Sequence, residues 1–326
     1  MFKQSILLLV VLVLAACASP KNEENTTQDF TVNTAVDETL NFEQLRLYPV
    51  EADVDFIESQ AGLANWITLE AALEKSRFRI VEKRPFGRFE DTNATNALMV
   101  ENKTQDTVFL MAGDVVEGGN QDRMIAENRT IAPNSIKTIK VFCVERGRWN
   151  PRTTAEAGDA QRSIAFSGYY HVASSDLRRT MKATNNQQEV WKKVSEITTH
   201  HQATSDTDTY GALAASEAFN KLSKEYLDFF EGKMVSRSNV VGIVAVSGNR
   251  ILGIDVFGHP NLFRAKYASL LHGYVTEAVT NGSAVNIQPE QLSSYLTQFY
   301  SLYHTKDEAK RFMYQNKMVH FTNLDF

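Results

Sequence analysis

The chain has 326 residues, 43% of them hydrophobic and including 19 Phe and 11 Tyr, enough for one large domain or two intimate ones with a buried core. A net charge of −5 and no basic tract argue against a nucleic-acid partner.

Lys3 gives a positive start, residues 6–14 form an apolar run too short to span a bilayer, and Leu14-Ala15-Ala16-Cys17 follows at once. This is the layout of a secretory signal peptide over residues 1–17, and its last four residues resemble the bacterial lipobox, whose Cys becomes the lipidated first residue of the mature protein. The resemblance implies a membrane anchor through Cys17 and a cell-envelope location. Ala18, where an Asp would favour inner-membrane retention, points to the outer membrane, on its periplasmic or outer face. The alternative is an ordinary signal peptide with a Cys near its cleavage site. With Cys17 spent on lipid, Cys143 has no partner for an intrachain disulfide, so stability rests on the core.

Residues 18–39 are rich in Asn, Thr, Glu and Lys and read as a flexible tether; the globular domain is expected over 40–326. A strand is predicted near 46–50 and a short helix over 66–75. Short β-branched or aromatic runs at 78–82, 97–101, 107–112, 123–131 and 136–144 make 40–150 a β-rich half, a sandwich or half-barrel. Residues 148–170 are polar and loop-like. The second half, 151–326, is helix-rich, with helices at 176–183, 187–199, 216–234, 262–280 and 289–303. Between them, 240–246 and 251–257 flank Ser247-Gly248-Asn249-Arg250 as a hairpin apolar on both arms, hence central. A last strand is predicted at 318–321. The fold class is therefore α+β: a β-sandwich-like N-terminal half packed on C-terminal helices and a central hairpin.

Polar groups crowd between two of the predicted strands. Gly113-Asp114 ends one apolar run, Glu117-Gly118-Gly119 turns the chain, and Gln121, Asp122 and Arg123 start the next strand. Paired glycines let a ligand approach the backbone, although a tight turn capped by its own acids explains them equally well. The second run carries Cys143, Glu145, Arg146, Arg148 and Trp149. Guanidinium forks suit phosphate or carboxylate and an indole offers a stacking face. The competing explanation is an internal ion pair of Glu145 or Asp114 with Arg123 or Arg148 beneath a packed Trp. Cys143 reads as inert core rather than a nucleophile. Seven histidines show no metal-ligand spacing, so neither metal nor cofactor is expected, carboxylates such as Asp114, Glu117 and Asp122 being the one route to a metal. Asp255, inside an apolar hairpin arm, needs a cationic partner, for which an arginine of the first half such as Arg123 is the expectation.

Gly118-Gly119-x-Gln121-x-Arg123 and Val141-Phe142-Cys143-Val144-Glu145-x-Gly147-Arg148-Trp149 resemble the ARPP-1 domain, formerly DUF6569. Gln188-x-x-Trp191, Thr209-Tyr210 and the hairpin from Val241-Gly242 to Asp255-x-Phe257-Gly258 are similar too. That family is named for genomic association with ADP-ribosylglycohydrolases and rhodanese- or phosphatase-type proteins, which implies a role near ADP-ribose or NAD metabolism without defining an activity.

The reading that combines these features is a cleft binding an anionic or sugar-bearing small molecule, such as an ADP-ribose-related compound. Gly118, Gly119, Gln121, Asp122, Arg123, Arg148 and Trp149 would hold the ligand. Were it an enzyme, acid–base carboxylates drawn from Asp114, Glu117 and Glu145 would hydrolyse it. The alternative is a non-enzymatic structural or protein-interaction lipoprotein of the envelope.

Overall fold

The computed structural model describes residues 28–82, 96–149, 165–305 and 310–325. In chain order, strands β1 (Phe30–Val32), β2 (Asn41–Phe42) and β3 (Leu45–Ala52) lead to helix α1 (Val54–Ser59), strand β4 (Ile67–Thr68) and helix α2 (Leu69–Leu73). Strands β5 (Phe78–Glu82), β6 (Ala97–Asn102), β7 (Val108–Leu110), β8 (Asp114–Gly118), β9 (Arg123–Ile125), β10 (Arg129–Ile131), β11 (Ser135–Cys143) and β12 (Ala165–Val172) follow. Helices α3 (Ser175–Thr184), α4 (Gln187–His200) and α5 (Glu217–Phe230) precede the pair β13 (Val240–Ser247) and β14 (Arg250–Phe257). Helices α6 (Pro260–Asn281) and α7 (Pro289–His304) and strands β15 (Arg311–Tyr314) and β16 (Lys317–Asn323) complete the described fold.

Of the sandwich and the half-barrel expected of the first half, a barrel is what forms. Five strands of that half, joined by β12 from the second half, close into a barrel in the order β11-β6-β5-β12-β8-β9. Closure requires β8 and β12 to approach closely, and Gly118 allows it: a Cβ there would stand 2.6 Å from the Ala165 carbonyl oxygen, on a backbone at φ +132° that favours glycine. Register shifts in β12 around Gly168 and His171 add the local bend a barrel needs. Inside lie Ile80, Val100, Val116, Ile125, Val141 and Phe166, all buried.

The second half supplies most of a curled sheet in the order β1-β3-β13-β14-β16-β15, and β13–β14 is its central hairpin, as the doubly apolar arms imply. Its two-residue turn uses Gly248 at φ +59°. Helix α6 packs against β13 and β14 on one side and barrel strand β12 on the other, which explains why it is buried nearly all round instead of amphipathic. Gly273 makes this approach possible, because a Cβ there would meet the Ala173 carbonyl oxygen at 2.7 Å. Among the described residues no helix is long and apolar enough to cross a membrane.

Two local expectations change. Residues 66–75 do not form one helix: Ile67 and Thr68 pair in parallel with β7, and only Leu69–Leu73 is helical, capped by Thr68. The sheet also begins earlier than residue 40, because Phe30 is buried against Phe56 and Tyr303 and β1 pairs with β3. An isolated Phe in a polar segment gives no periodic signal. The signal peptide and Cys17 lie outside the described residues, as does most of the loop expected over 148–170, whose end is strand β12.

Candidate site at the mouth of the barrel

One end of the barrel collects the residues of both motif runs. Cys143 is paired with Arg123, Phe166 with Gly118, and Glu82 ends β5 on the same side. Strand alternation puts Arg123 on the face of Ile125, Cys143 on that of Val141 and Glu82 on that of Ile80. These three polar groups therefore cap the apolar barrel interior. Arg123 is 1% exposed; its Nη1 donates to Gln121 Oε1 at 3.0 Å and to Cys143 Sγ at 3.1 Å, and its Nη2 to Glu82 Oε1 at 3.4 Å. Its Nε has no hydrogen-bond partner. Burial pushes the Cys143 thiol up, only partly offset by the Arg123 charge, which suits an inert thiol.

Arg148 closes the mouth. Its Nε and Nη2 donate to Glu145 at 2.9 and 2.7 Å, Nη2 also reaches Gly118 O at 3.1 Å and Asp122 Oδ1 at 3.2 Å, and Nη1 donates to Gly119 O at 2.6 Å. Asp122 in turn accepts from the Gly118 amide at 3.0 Å and the Thr209 hydroxyl at 2.8 Å, and its own amide donates to Glu145 Oε2 at 2.9 Å. Burial alone would raise the Glu145 carboxyl; hydrogen bonds from Arg148, Thr207 and the Asp122 amide outweigh it and hold the group below its ordinary range. The Gly118 and Gly119 carbonyls thus serve Arg148, and a Cβ on Gly119 would run into the Phe166 ring at 2.4 Å. This is the internal ion pairing that competed with the ligand-clamp explanation, realised by Arg148 with Glu145 and Asp122.

Of the three carboxylates expected to share acid–base work, Asp114 stands apart from the other two. Asp114 starts β8 while Gly118 ends it, so Asp114 faces the other end of the barrel. There it is fully buried against Lys266 of α6, accepts from Tyr169 OH at 2.8 Å, and takes the Met111 amide at 2.8 Å. Ser269 stands 2.6 Å from the same phenol. Glu117 lies against Gly168 and Gly211, on the flank of the barrel. Trp149 is 58% exposed at the edge of the cluster instead of packed over it. Asp255 finds its partner in α3, not in the first half: Arg178 clasps it through both Nη atoms at 2.9 and 2.7 Å, Tyr274 OH donates at 2.6 Å, and His320 Nε2 stands 3.1 Å away, off-line for a full hydrogen bond. Burial would raise the Asp255 carboxyl, but the Arg178 charge holds it well below its usual range.

Several residues of this site carry no sequence signal strong enough to single them out. Glu82 ends an ordinary strand. Gln187 brackets Cys143, accepting its amide at 2.9 Å and donating to its carbonyl at 2.7 Å, yet in sequence it is one amide at a helix start. Lys266 could have been flagged as a charge within an apolar helix.

Beside the mouth, α4 and the segment after β11 enclose an open groove of about 610 Å³ whose lining includes the cations Arg146 and Lys192, the carboxylates Glu196 and Asp208, and Gln188, Trp191 and Ser195. The Arg146 guanidinium lies 6.0 Å from the Trp191 ring centroid, and the indole N–H is buried without a hydrogen-bond partner. Among the described residues no group of three His, Cys, Asp or Glu side chains is placed to hold a metal ion.

The family model for the ARG and Rhodanese-Phosphatase-superfamily-associated Protein domain, ARPP-1, matches residues 33–322. The chain belongs to this family. No curated protein and no solved structure matches it. Within this ARPP-1 domain the resembling motifs converge: Thr209 holds Asp122, the Tyr210 amide donates to Val144 O at 2.9 Å, and Gln188 and Trp191 stand across the groove from Arg146.

Proposed function

We propose that this ARPP-1 domain is a binding module of the bacterial cell envelope, anchored through lipidated Cys17 in the outer membrane, that recognises an anionic or sugar-bearing small molecule such as an ADP-ribose-related compound. The observation that carries the reading is the groove where Arg146, from the second motif run, meets Trp191. An aromatic face beside Arg146 and Lys192, with the Gln188 amide, the Ser195 hydroxyl and the Asp208 carboxylate within one hollow, is the mixture that sugar and phosphate groups require. The Asp114–Glu145 pair does not support hydrolysis, because Asp114 is remote and Glu145 is held ionised by Arg148. The anchor rests on the run ending in Leu14-Ala15-Ala16-Cys17.

The test is a calorimetric titration of the protein with ADP-ribose, AMP, ribose 5-phosphate and neutral sugars. Arg146→Ala and Trp191→Ala should each weaken the best ligand at least tenfold. Arg146 is exposed, so its replacement should leave the melting temperature within about 1–2 °C. No binding by any of these compounds, or binding indifferent to both substitutions, would refute the assignment. A specific observation favours the bracing alternative for one residue: Arg148 is fully engaged by the protein itself and is excluded from the ligand set.

A further inference from the structure

A cavity of about 340 Å³ lies at the opposite end of the barrel, where it meets the curled sheet, and its walls include Ala126, Met181 and Phe312. Its charged lining is Arg129, Arg178, Lys182 and Lys310 against Glu127 as the one carboxylate among the described residues. Arg178 is 3% exposed, and with both Nη atoms on Asp255 its Nε is left without a hydrogen-bond partner. That side chain runs past Gly113, where any Cβ would come within 2.8 Å of Arg178 Cγ and within 3.1 Å of Nε, on a backbone at φ +103°. The glycine therefore leaves room for the Arg178 side chain itself to pass into the cavity wall. At the rim Lys310 is held by Asn323 Oδ1 at 2.8 Å and by Asp325, a carboxylate whose side chain is 55% exposed and so readily exchanged for another.

We infer that this cavity is a second ligand site, for a medium-chain carboxylate. The alkyl chain lies against Ala126, Met181 and Phe312, and the carboxylate takes the place of Asp325 on Lys310, among the cations Arg129 and Lys182 of the same lining. The volume sits at the lower end of small-molecule sites, enough for about ten heavy atoms and too small for a dinucleotide. This assignment is independent of the Arg146–Trp191 groove, which lies beside the other mouth.

Octanoate titrated calorimetrically into the full chain tests it, with octan-1-ol and inorganic phosphate as separate probes of the apolar and anionic halves. Octanoate should bind saturably at one site and at least tenfold more tightly than either. Lys310→Gln, a rim change, should weaken it about fivefold. Ala126→Leu, which fills the cavity, should weaken it more than tenfold in a protein whose circular dichroism is unchanged. Lys192→Gln, in the other groove, should leave octanoate affinity as it was. No octanoate binding, binding indifferent to Lys310→Gln, equal binding of octan-1-ol, or loss of octanoate binding in Lys192→Gln would overturn the inference.

Discussion

Replacing Arg148 by Ala separates a ligand clamp from a structural latch. Among the described residues the side chain makes five hydrogen bonds, three to the carboxylates of Glu145 and Asp122 and two to the carbonyls of Gly118 and Gly119. Glu145 and Asp122 are 1% and 0% exposed, so the truncation takes from two buried carboxylates the guanidinium they share. Removing one partner of a buried pair costs about 3–5 kcal/mol. Because Arg148 itself is 13% exposed, water can enter the vacated space, and a loss of about 2–4 kcal/mol is the expectation. For a domain of this size each kcal/mol lowers the melting point by roughly 2–4 °C. Arg148→Lys should fall between, since an ammonium keeps the charge but loses the fork. Adding Glu145→Gln to Arg148→Ala should recover part of the stability by removing one of the stranded charges. Thermal and urea unfolding of the four proteins measure this. If Arg148→Ala melted at the wild-type temperature while ligand affinity vanished, the latch would be refuted and the clamp restored.

Other consequences follow from buried charge. Burial lowers His171 to about 4 and His272, which stacks on it at 4.1 Å, to about 3. Unfolded histidines titrate near 6.5, so on acidification the unfolded chain binds protons first; stability is whole above about pH 6.5 and is lost downward through that window, by about 1.4 kcal/mol per pH unit for each histidine that protonates only on unfolding. Melting temperature against pH should show the slope, and His272→Phe should flatten it; a flat wild-type profile between pH 7 and 5 would refute the argument. Asp255→Ala strands Arg178 in the core and should cost about 3–5 kcal/mol in urea unfolding; a loss below 1 kcal/mol would count against that cluster as a brace. Gly113→Ala should destabilise by more than 1 kcal/mol, through its positive φ and the contact with Arg178. Cys17→Ser should abolish labelling by radioactive palmitate and shift the protein from membrane to soluble fractions, and persistent labelling would contradict the anchor.

The local pattern of the chain carried most of the element positions. Alternation and β-branching placed β5 at 78–82 within a residue, and the hairpin β13–β14 was legible because two apolar arms flank a Gly-Asn turn. Helices α3 to α7 were legible from their stripes and first-turn signals, such as Pro289 at the start of α7. The misread stretch at 66–75 is instructive: Trp66, Ile67 and Leu69 suit a helical stripe, but Ile67 and Thr68 gain hydrogen bonds from β7, a partner some forty positions away that no local window contains.

The candidate site was legible as a set of residues and not as a set of pairs. Both motif runs do meet at one mouth of the barrel. Which acid met which arginine depended on closure: Asp114 and Gly118 bound one five-residue strand, so about 13 Å of extended chain separates them, and the barrel sends Asp114 to Lys266 while the turn beyond Gly118 is clasped by Arg148. Asp255 likewise required a cation, yet only the packing of α3 over the curled sheet made it Arg178 and not Arg123.

Sequence by itself determined the family, the α+β class, the central hairpin and the requirement that its buried charges be paired, because these follow from local periodicity and from the cost of desolvating an ion. Tertiary structure decided that the strands close into a barrel, that Arg148 is spent on the protein while Arg146 is left beside a groove, and that the acids are divided between two ends. Those outcomes depend on distances across the fold, set by how sheets curl and helices pack.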